Sequence, residues 1–148
     1  MLNEIGLEYD YVFRTNLSSY IDKKMIHEYL LDKPKSDYYS GFIGNVDRNI
    51  FGQYVDLIEY ASGSGIVLSK DLVDFLIENK DEMDNDSLID DVAIGQLLNK
   101  NGIYPYFLNR IDILNTNVSN FSHFFYRLKS DNRDLDIKNM YEIYKNKK

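Results

Sequence analysis

The 148-residue chain has no cysteine, fewer basic than acidic residues and no apolar run long enough to cross a membrane. Without cysteine, disulfides, thiolate metal sites and cysteine nucleophiles are excluded. The 17 Lys and Arg against 24 Asp and Glu give a net charge of −7, whereas a general nucleic-acid binder presents a basic face. The opening "MLNEIGLEYD" lacks the basic start and apolar core of a signal peptide. These absences predict a cytoplasmic protein with no nucleic-acid partner and no transmembrane segment.

The composition is that of a packed domain. Hydrophobic residues make up 44% of the chain, and thirteen Tyr and eight Phe supply large side chains for a core. No repeat, low-complexity tract or linker divides the sequence. We therefore expect residues 1–148 to form a single domain.

Hydrophobic periodicity predicts interleaved strands and helices. The aromatic run Tyr9–Phe13 and the β-branched run Gly65–Leu68 predict central strands. Apolar residues at helical spacing predict helices near 69–79 and 87–100, and Gly102 is placed to end the second. The alternation indicates the α/β class, with a mixed sheet flanked by helices.

Two further helices are predicted. Asp22 is a suitable N-cap for a helix that continues to Asp32. The last helix carries Ile137, Met140, Tyr141 and Tyr144, which predict its apolar face. The segment "YYSGFIGN" reads as extended chain, and "IYPYFLN" as a strand or extended connection.

Asp90 and Asp91 lie in the first turn of the predicted helix 87–100. Carboxylates at that position are stabilised by the helix dipole by about 0.3–1 kcal/mol each, and such pairs occur on many inert surface helices. The alternative is that one of them is a catalytic base. The pair alone does not decide between these interpretations.

The Gly/Ser segment "YASGSG" precedes the strand Gly65–Leu68. Glycine allows close backbone approach, so the segment can lie against a ligand, or it can form a tight turn or bulge at a strand entry. The segment "SHFFYRLKSDNR" gathers His123, Arg127, Lys129 and Arg133. These groups can hold a diphosphate, or they can be scattered charges on a solvated strand edge.

A resemblance joins these segments. "YASGSGIVLSKDLVDFL" followed by "IDDVAIGQLLNKNGI" resembles the C-terminal half of β-1,3-galactosyltransferase and Fringe-like glycosyltransferases, in order and spacing, across roughly Tyr9 to Gly102. The resemblance implies the C-terminal half of a GT-A fold and inverting sugar transfer from a nucleotide donor, a UDP-sugar, to a glycan hydroxyl. Asp91 takes the position of the catalytic base and Asp90 that of the acidic residue before it. The acceptor-binding residues implied are Tyr60, Ser62, Gly63, Ser64 and Gly65.

The implied donor site departs from the family pattern. Where the family carries a metal-binding acidic triplet, this chain has Asn16, Leu17 and Ser18 in "YVFRTNLSSY". Neutral oxygens bind Mn²⁺ and Mg²⁺ less tightly than carboxylates do, so use of either metal is in doubt. The expected donor-binding residues are Asn16, Ser18, Arg127, Lys129 and Arg133. His123 is a candidate metal ligand.

In the family a nucleotide-binding sheet precedes this segment, whereas eight residues precede Tyr9 here. The resemblance therefore implies that the N-terminal nucleotide-binding half is missing and is a possible separate partner. A glycosyltransferase is the leading hypothesis. A non-catalytic carbohydrate-binding module, or degenerate transferase remnant, is the second, and an interaction domain with a Tyr-rich surface is the third.

Overall fold

The structure, a computed structural model, describes residues 8–50, 53–84 and 88–148. The chain divides into two compact units, where the sequence predicts a single domain. Unit 1 contains the described residues up to Arg14 and those of Pro34–Leu108. Unit 2 contains Thr15–Lys33 and Asn109–Lys148. Each unit is built around its own β-sheet.

The sheet of unit 1 has four strands in the order β1-β4-β3-β5. The strands are β1 Tyr11–Thr15, β3 Tyr39–Ile50, β4 Gln53–Ser69 and β5 Tyr106–Phe107. β3 pairs antiparallel with β4 and parallel with β5, so the sheet is mixed. β4 is an interior strand, as predicted for Gly65–Leu68, but the prediction that Tyr9–Phe13 is central is wrong, because β1 lies at the sheet edge.

Two α-helices complete unit 1, α2 Lys70–Glu78 and α3 Asp90–Lys100. A 3-10 helix, Lys80–Glu82, follows α2. The predicted helices 69–79 and 87–100 are therefore confirmed within the described chain, although residues 85–87 lie outside it. Gly102 has φ +76°, the left-handed conformation that ends a helix.

The core of unit 1 lies between the sheet and these helices. Its fully buried side chains include those of Tyr39, Ile66 and Leu98. The period-two pattern of β4 and the helical pattern of α3 supply these apolar positions. The core therefore holds α3 against β4.

The Gly/Ser segment is a wide bulge inside β4 and not a turn before a strand. Gly41 of β3 pairs with Ile66, and Ile43 pairs with Ala61, so residues 62–65 of β4 stand opposite the single residue Phe42. A Cβ added to Gly41 would lie 2.5 Å from the Ala61 Cβ and 2.7 Å from the Gly65 carbonyl oxygen. The bulge therefore depends on glycine at position 41 of the neighbouring strand.

Unit 2 contains a three-stranded sheet in the order β2-β7-β6. The strands are β2 Ser19–Ile21, β6 Ile111–Ile113 and β7 Phe125–Leu128. β7 pairs antiparallel with β2 and parallel with β6. The helices of this unit are α1 Lys23–Leu30 and α4 Arg133–Asn146.

The N-cap predicted for α1 is confirmed. The Asp22 carboxylate accepts hydrogen bonds from the backbone N–H groups of Lys24 and Met25, at 3.1 and 3.0 Å. It thereby satisfies two amides that have no partner within the helix. Asp22 thus fixes where β2 ends and α1 begins.

The last helix is confirmed, and of the four residues predicted for its apolar face only Met140 packs against the core. Ile137, Tyr141 and Tyr144 of α4 are exposed, whereas Asp136, Asn139 and Ile143 are buried. The Asn139 side chain accepts from the Val118 N–H and donates to the Thr116 carbonyl. These hydrogen bonds compensate for burial of a polar side chain and set the orientation of the helix.

The α/β class predicted from the sequence is confirmed by the two sheets and the flanking helices. Whether the fold is that of a GT-A half stays a prediction. No helix in the described ranges is both long and apolar enough to cross a membrane.

Candidate functional site

Asp91 is buried in the first turn of α3, facing the Gly/Ser bulge of β4. Its side chain is 9% exposed, and its Oδ2 accepts the Gly63 N–H at 2.7 Å. Its Oδ1 accepts the Val92 N–H at 3.1 Å. A carboxylate oxygen has two acceptor positions, so each Asp91 oxygen retains one after these bonds. Asp91 therefore lies next to the Gly/Ser segment to which the resemblance links it, and its catalytic role stays a prediction.

Asp90 points to a different environment. Its carboxylate is 62% exposed and forms an ion pair with Arg14 of β1. Its Oδ1 also accepts the Asp91 N–H at 2.8 Å. Successive residues of a helix point about 100° apart, which is why neighbouring aspartates differ so much in burial. An exposed ion pair contributes only about 0–1 kcal/mol to the free energy of unfolding. The main effect of Asp90 is therefore to orient the Arg14 side chain.

Arg14 was not identified from the sequence. Its Nη1 atom is buried and has no hydrogen-bond partner among the described residues. A Cβ added to Gly63 would lie 3.0 Å from this Nη1 and 3.2 Å from the Asp91 Oδ2. Both groups therefore approach the same backbone position. The guanidinium therefore has one buried donor beside Gly63 whose hydrogen-bonding capacity is not used within the described residues.

The other residues predicted to bind an acceptor lie in or beside the bulge. The hydroxyls of Ser62 and Ser64 are 3.2 Å apart, and Ser64 is buried. The Tyr60 ring packs over Gly44, since a Cβ at Gly44 would lie 2.6 Å from its Cζ. Ser62 and Gly63 are partly exposed, while Gly65 is buried.

The local sequence explains why Asp91 is held in place. The N-cap of α3 is Ile89, whose side chain cannot accept a hydrogen bond, so the carboxylates of the first turn take over that role. Gly95 allows α3 to approach β4 closely, because a Cβ there would lie 2.5 Å from the Tyr60 Cβ. Asn99 pairs with both the N–H and the carbonyl of Glu59 on β4.

The residues predicted to bind the donor all lie in unit 2. The turn that contains Asn16 and Ser18 lies next to the end of β7, since the Ser18 carbonyl accepts the Leu128 N–H at 2.6 Å. Arg133 donates to the Leu17 carbonyl at 3.2 Å. The structure therefore brings the turn, β7 and the start of α4 together.

Arg127 shares an acidic partner that the sequence analysis did not identify. Its Nη1 is 3.5 Å from the Asp112 Oδ2, and Arg110 donates two hydrogen bonds to the same carboxylate. Two guanidinium groups and one carboxylate leave one net positive charge. The Arg127 Nε is buried without a hydrogen-bond partner in the described part of the chain. Asp112 faces Arg127 because these residues pair in register across β6 and β7.

Lys129 is exposed, and Arg133 is half-exposed at the start of α4. Lys129 follows Arg127 by two residues, a spacing that puts both side chains on one side of an extended chain. Lys129 extends the positive charge around Arg127 toward solvent. The cluster suits an anion better than a neutral ligand.

The residues at the expected metal position do not fit Mn²⁺ or Mg²⁺. The Asn16 Oδ1 already accepts from the Ser18 N–H at 3.0 Å and from the Ser19 hydroxyl at 3.2 Å. The ranges that the structure describes contain no group of three His, Asp or Glu side chains able to hold a metal ion. The His123 Nε2 lies 2.9 Å from the Asn109 carbonyl, which gives this candidate ligand a structural partner.

No protein-family model matches this sequence, and no curated protein matches it significantly. The site is therefore interpreted from its own chemistry. Unit 1 contains a carboxylate held at a glycine bulge, and unit 2 contains a set of cations around a turn.

Proposed function

We propose that this protein is an inverting glycosyltransferase that moves a sugar from a UDP-sugar to a carbohydrate hydroxyl, with Asp91 as the general base. The observation that carries the proposal is the position of Asp91, buried against the Gly63 N–H. The linked Gly/Ser and Asp-Asp-Val motifs, which meet in this contact, support the same family of enzymes. The family proposed for this protein is that of the β-1,3-galactosyltransferases and Fringe-like enzymes.

In the proposed reaction, an Asp91 oxygen accepts the proton of the acceptor hydroxyl. That hydroxyl oxygen forms a bond to the anomeric carbon while the bond from this carbon to the UDP oxygen breaks. UDP leaves from the opposite face with the electron pair, and the anomeric configuration inverts. Asp91 suits the step because each of its oxygens keeps an acceptor position and the Gly63 N–H fixes its direction.

The Gly/Ser bulge can position the acceptor. Ser62 and Gly63 are partly exposed next to Asp91, and the buried Arg14 Nη1 lies beside the same backbone position. Sugars carry several hydroxyls, so hydrogen-bond donors and acceptors at fixed positions provide orientation. Correct orientation of the attacking hydroxyl accounts for much of the rate in such reactions.

The diphosphate of the donor is assigned to Arg127, Lys129 and Arg133. Arginine forms forked hydrogen bonds to phosphate oxygens, and lysine contributes a mobile positive charge. These cations offset the charge that develops on the leaving UDP. Because Asn16 and Ser18 do not form an acidic metal site, the donor role of their turn is limited to neutral hydrogen bonds.

A non-catalytic carbohydrate-binding module is the second candidate. It is favoured by the engagement of both Asp91 oxygens with backbone amides and by the internal hydrogen bonds of Asn16. Such a module would bind glycan without releasing UDP from any UDP-sugar. An assay for UDP release in the presence of oligosaccharides separates the two candidates.

We expect UDP to bind the wild-type protein without added Mn²⁺, and Lys129→Ala to weaken that binding about tenfold. A charge-assisted contact contributes about 1.5–3 kcal/mol, and exposure of Lys129 puts it at the lower end. Arg127→Ala should weaken binding by at least as much, because its side chain is less exposed. Calorimetric titration with UDP, with and without Mn²⁺, measures both effects.

Lys138→Ala is the matched control, because Lys138 is exposed on α4 and lies outside the predicted donor site. The substitution removes the same charge as Lys129→Ala does. It should leave the affinity for UDP unchanged. Binding that requires Mn²⁺, or equal losses in Lys129→Ala and Lys138→Ala, would contradict the donor assignment.

A further inference from the structure

In unit 2, four of the eight residues that line a cleft of about 450 Å³ are lysines. It is formed by the end of β2, the start of α1 and the end of α4, and its charged lining residues are Lys23, Lys24, Lys147, Lys148 and Asp22. Its size lies within the range of small-ligand sites. A concentration of four lysines is unexpected in a chain whose net charge is −7.

The single acidic residue of the lining is already neutralised. The Asp22 carboxylate caps α1 and lies 3.7 Å from the Lys147 Nζ. The Lys147 side chain is only 10% exposed, and its Nζ also lies 3.0 Å from the Met25 sulfur. This buried pair contributes no net charge to the cleft.

The other three lysines remain available for an anion. Lys23 and Lys24 are exposed and have no carboxylate partner among the residues that the structure describes. The Lys148 Nζ lies 4.6 Å from the centroid of the Tyr144 ring, which holds its charge at the edge of the cleft. Lys23, Lys24 and Lys148 thus contribute three positively charged side chains to the lining of one concave surface.

Two tyrosines provide the remaining chemistry of the cleft. Burial raises the pKa of Tyr20, and the neighbouring Asp22 raises it further, so its hydroxyl is a neutral donor at physiological pH. Tyr144 supplies a half-exposed ring. A hydroxyl donor beside several ammonium groups suits phosphate oxygens, which accept hydrogen bonds and carry charge together.

We propose that this lysine cleft binds a small anion that bears a diphosphate group. A diphosphate carries a charge comparable to that of Lys23, Lys24 and Lys148 together, and it spans more of the cleft than a single phosphate. The cleft is separate from the cation cluster proposed for the sugar donor. Arg133 and Lys147 are fourteen residues apart on or next to α4, which corresponds to about 21 Å along a helix. The proposal does not depend on glycosyl transfer.

Titration of the full chain with inorganic pyrophosphate tests the proposal, with heat and backbone amide NMR shifts as the readouts. The largest shifts are expected at residues 20–24 and 144–148. Lys23→Ala/Lys24→Ala should weaken pyrophosphate binding at least about tenfold, since each substitution removes a charge-assisted contact. Inorganic phosphate should bind more weakly than pyrophosphate.

Lys80→Ala/Lys138→Ala is the control, because both lysines are exposed outside the cleft and the change in net charge is the same. It should leave the affinity for pyrophosphate unchanged. Absence of binding, equal weakening in the two double variants, or amide shifts confined to residues 127–133 would overturn the proposal. The last result would place pyrophosphate at the donor site and leave the proposed function intact.

Discussion

Asp91→Asn is expected to lower the rate of sugar transfer about 100- to 10,000-fold, the usual contribution of a positioned general base. Asparagine has nearly the same shape but cannot take the proton of the acceptor hydroxyl. Its amide offers one acceptor oxygen where Asp91 uses two, so one of the N–H bonds from Gly63 or Val92 is lost. We expect that loss to lower the free energy of unfolding by about 1 kcal/mol. Initial rates and thermal unfolding of the same preparations separate chemistry from stability.

Asp90→Asn is the matched control for this substitution. It makes the same chemical change one residue earlier, at a carboxylate that is 62% exposed and paired with Arg14. We expect it to retain most of the transfer rate. Equal losses of rate in both variants, or a larger loss in Asp90→Asn, would reject Asp91 as the base.

Gly95→Ala is expected to lower the free energy of unfolding by about 2–3 kcal/mol, through overpacking between α3 and β4. The added Cβ would lie 2.5 Å from the Tyr60 Cβ, 2.9 Å from the Glu59 carbonyl and 3.0 Å from the Tyr60 Cα. None of these atoms is at the end of a flexible side chain, so the helix itself must move. That movement would also displace Asp91 from Gly63 and reduce transfer.

Whether Gly95→Ala lowers or raises the free energy of unfolding decides whether α3 packs closely on β4. Alanine is preferred to glycine inside a helix by about 0.5–1 kcal/mol, so without a clash Gly95→Ala would stabilise the protein. Lys100→Ala, at an exposed position of the same helix, should change stability by less than about 0.5 kcal/mol. Chemical denaturation of the three proteins measures the differences. A neutral or stabilised Gly95→Ala would show that α3 does not pack on β4 as described.

Features that depend on a few neighbouring residues were predictable from the sequence. Asp22 caps α1 and Gly102 ends α3 because each satisfies a local backbone requirement. The two helices of unit 1 follow from their apolar spacing. The contact between Asp91 and the Gly/Ser segment was predictable only through the resemblance that linked the two motifs, since they are far apart in the chain.

Features that depend on distant partners were not predictable. At the bulge, residues 62–65 of β4 stand opposite a single residue of β3. The sequence of β4 alone does not indicate this register. The buried face of α4 includes Asp136 and Asn139, whose hydrogen bonds are made to other segments of unit 2. A pattern of apolar residues therefore identified the helix but misassigned most of its face.

The candidate site also contains residues that the sequence could identify and residues that only the fold brings together. Asp91 was singled out because carboxylates are recognisable in a motif, whereas Arg14 lies in a strand and is brought to Gly63 only by the fold. Arg110 and Asp112 have a spacing of two residues, which could have indicated a shared face of an extended chain. A spacing of two residues between charged side chains is common in strands. It indicates a shared ionic cluster only once the structure places Arg127 beside Asp112.

The stereochemistry of sugar transfer by the wild-type protein tests the central claim most directly. The protein is incubated with UDP-galactose, UDP-glucose or UDP-N-acetylglucosamine, each α-linked, and an oligosaccharide acceptor, and the new glycosidic bond is followed by ¹H NMR. Direct displacement assisted by Asp91 predicts a β-linked product from at least one donor, with stoichiometric release of UDP. An α-linked product, or glycan binding with no transfer from any of the donors, would contradict an inverting transferase with Asp91 as its base.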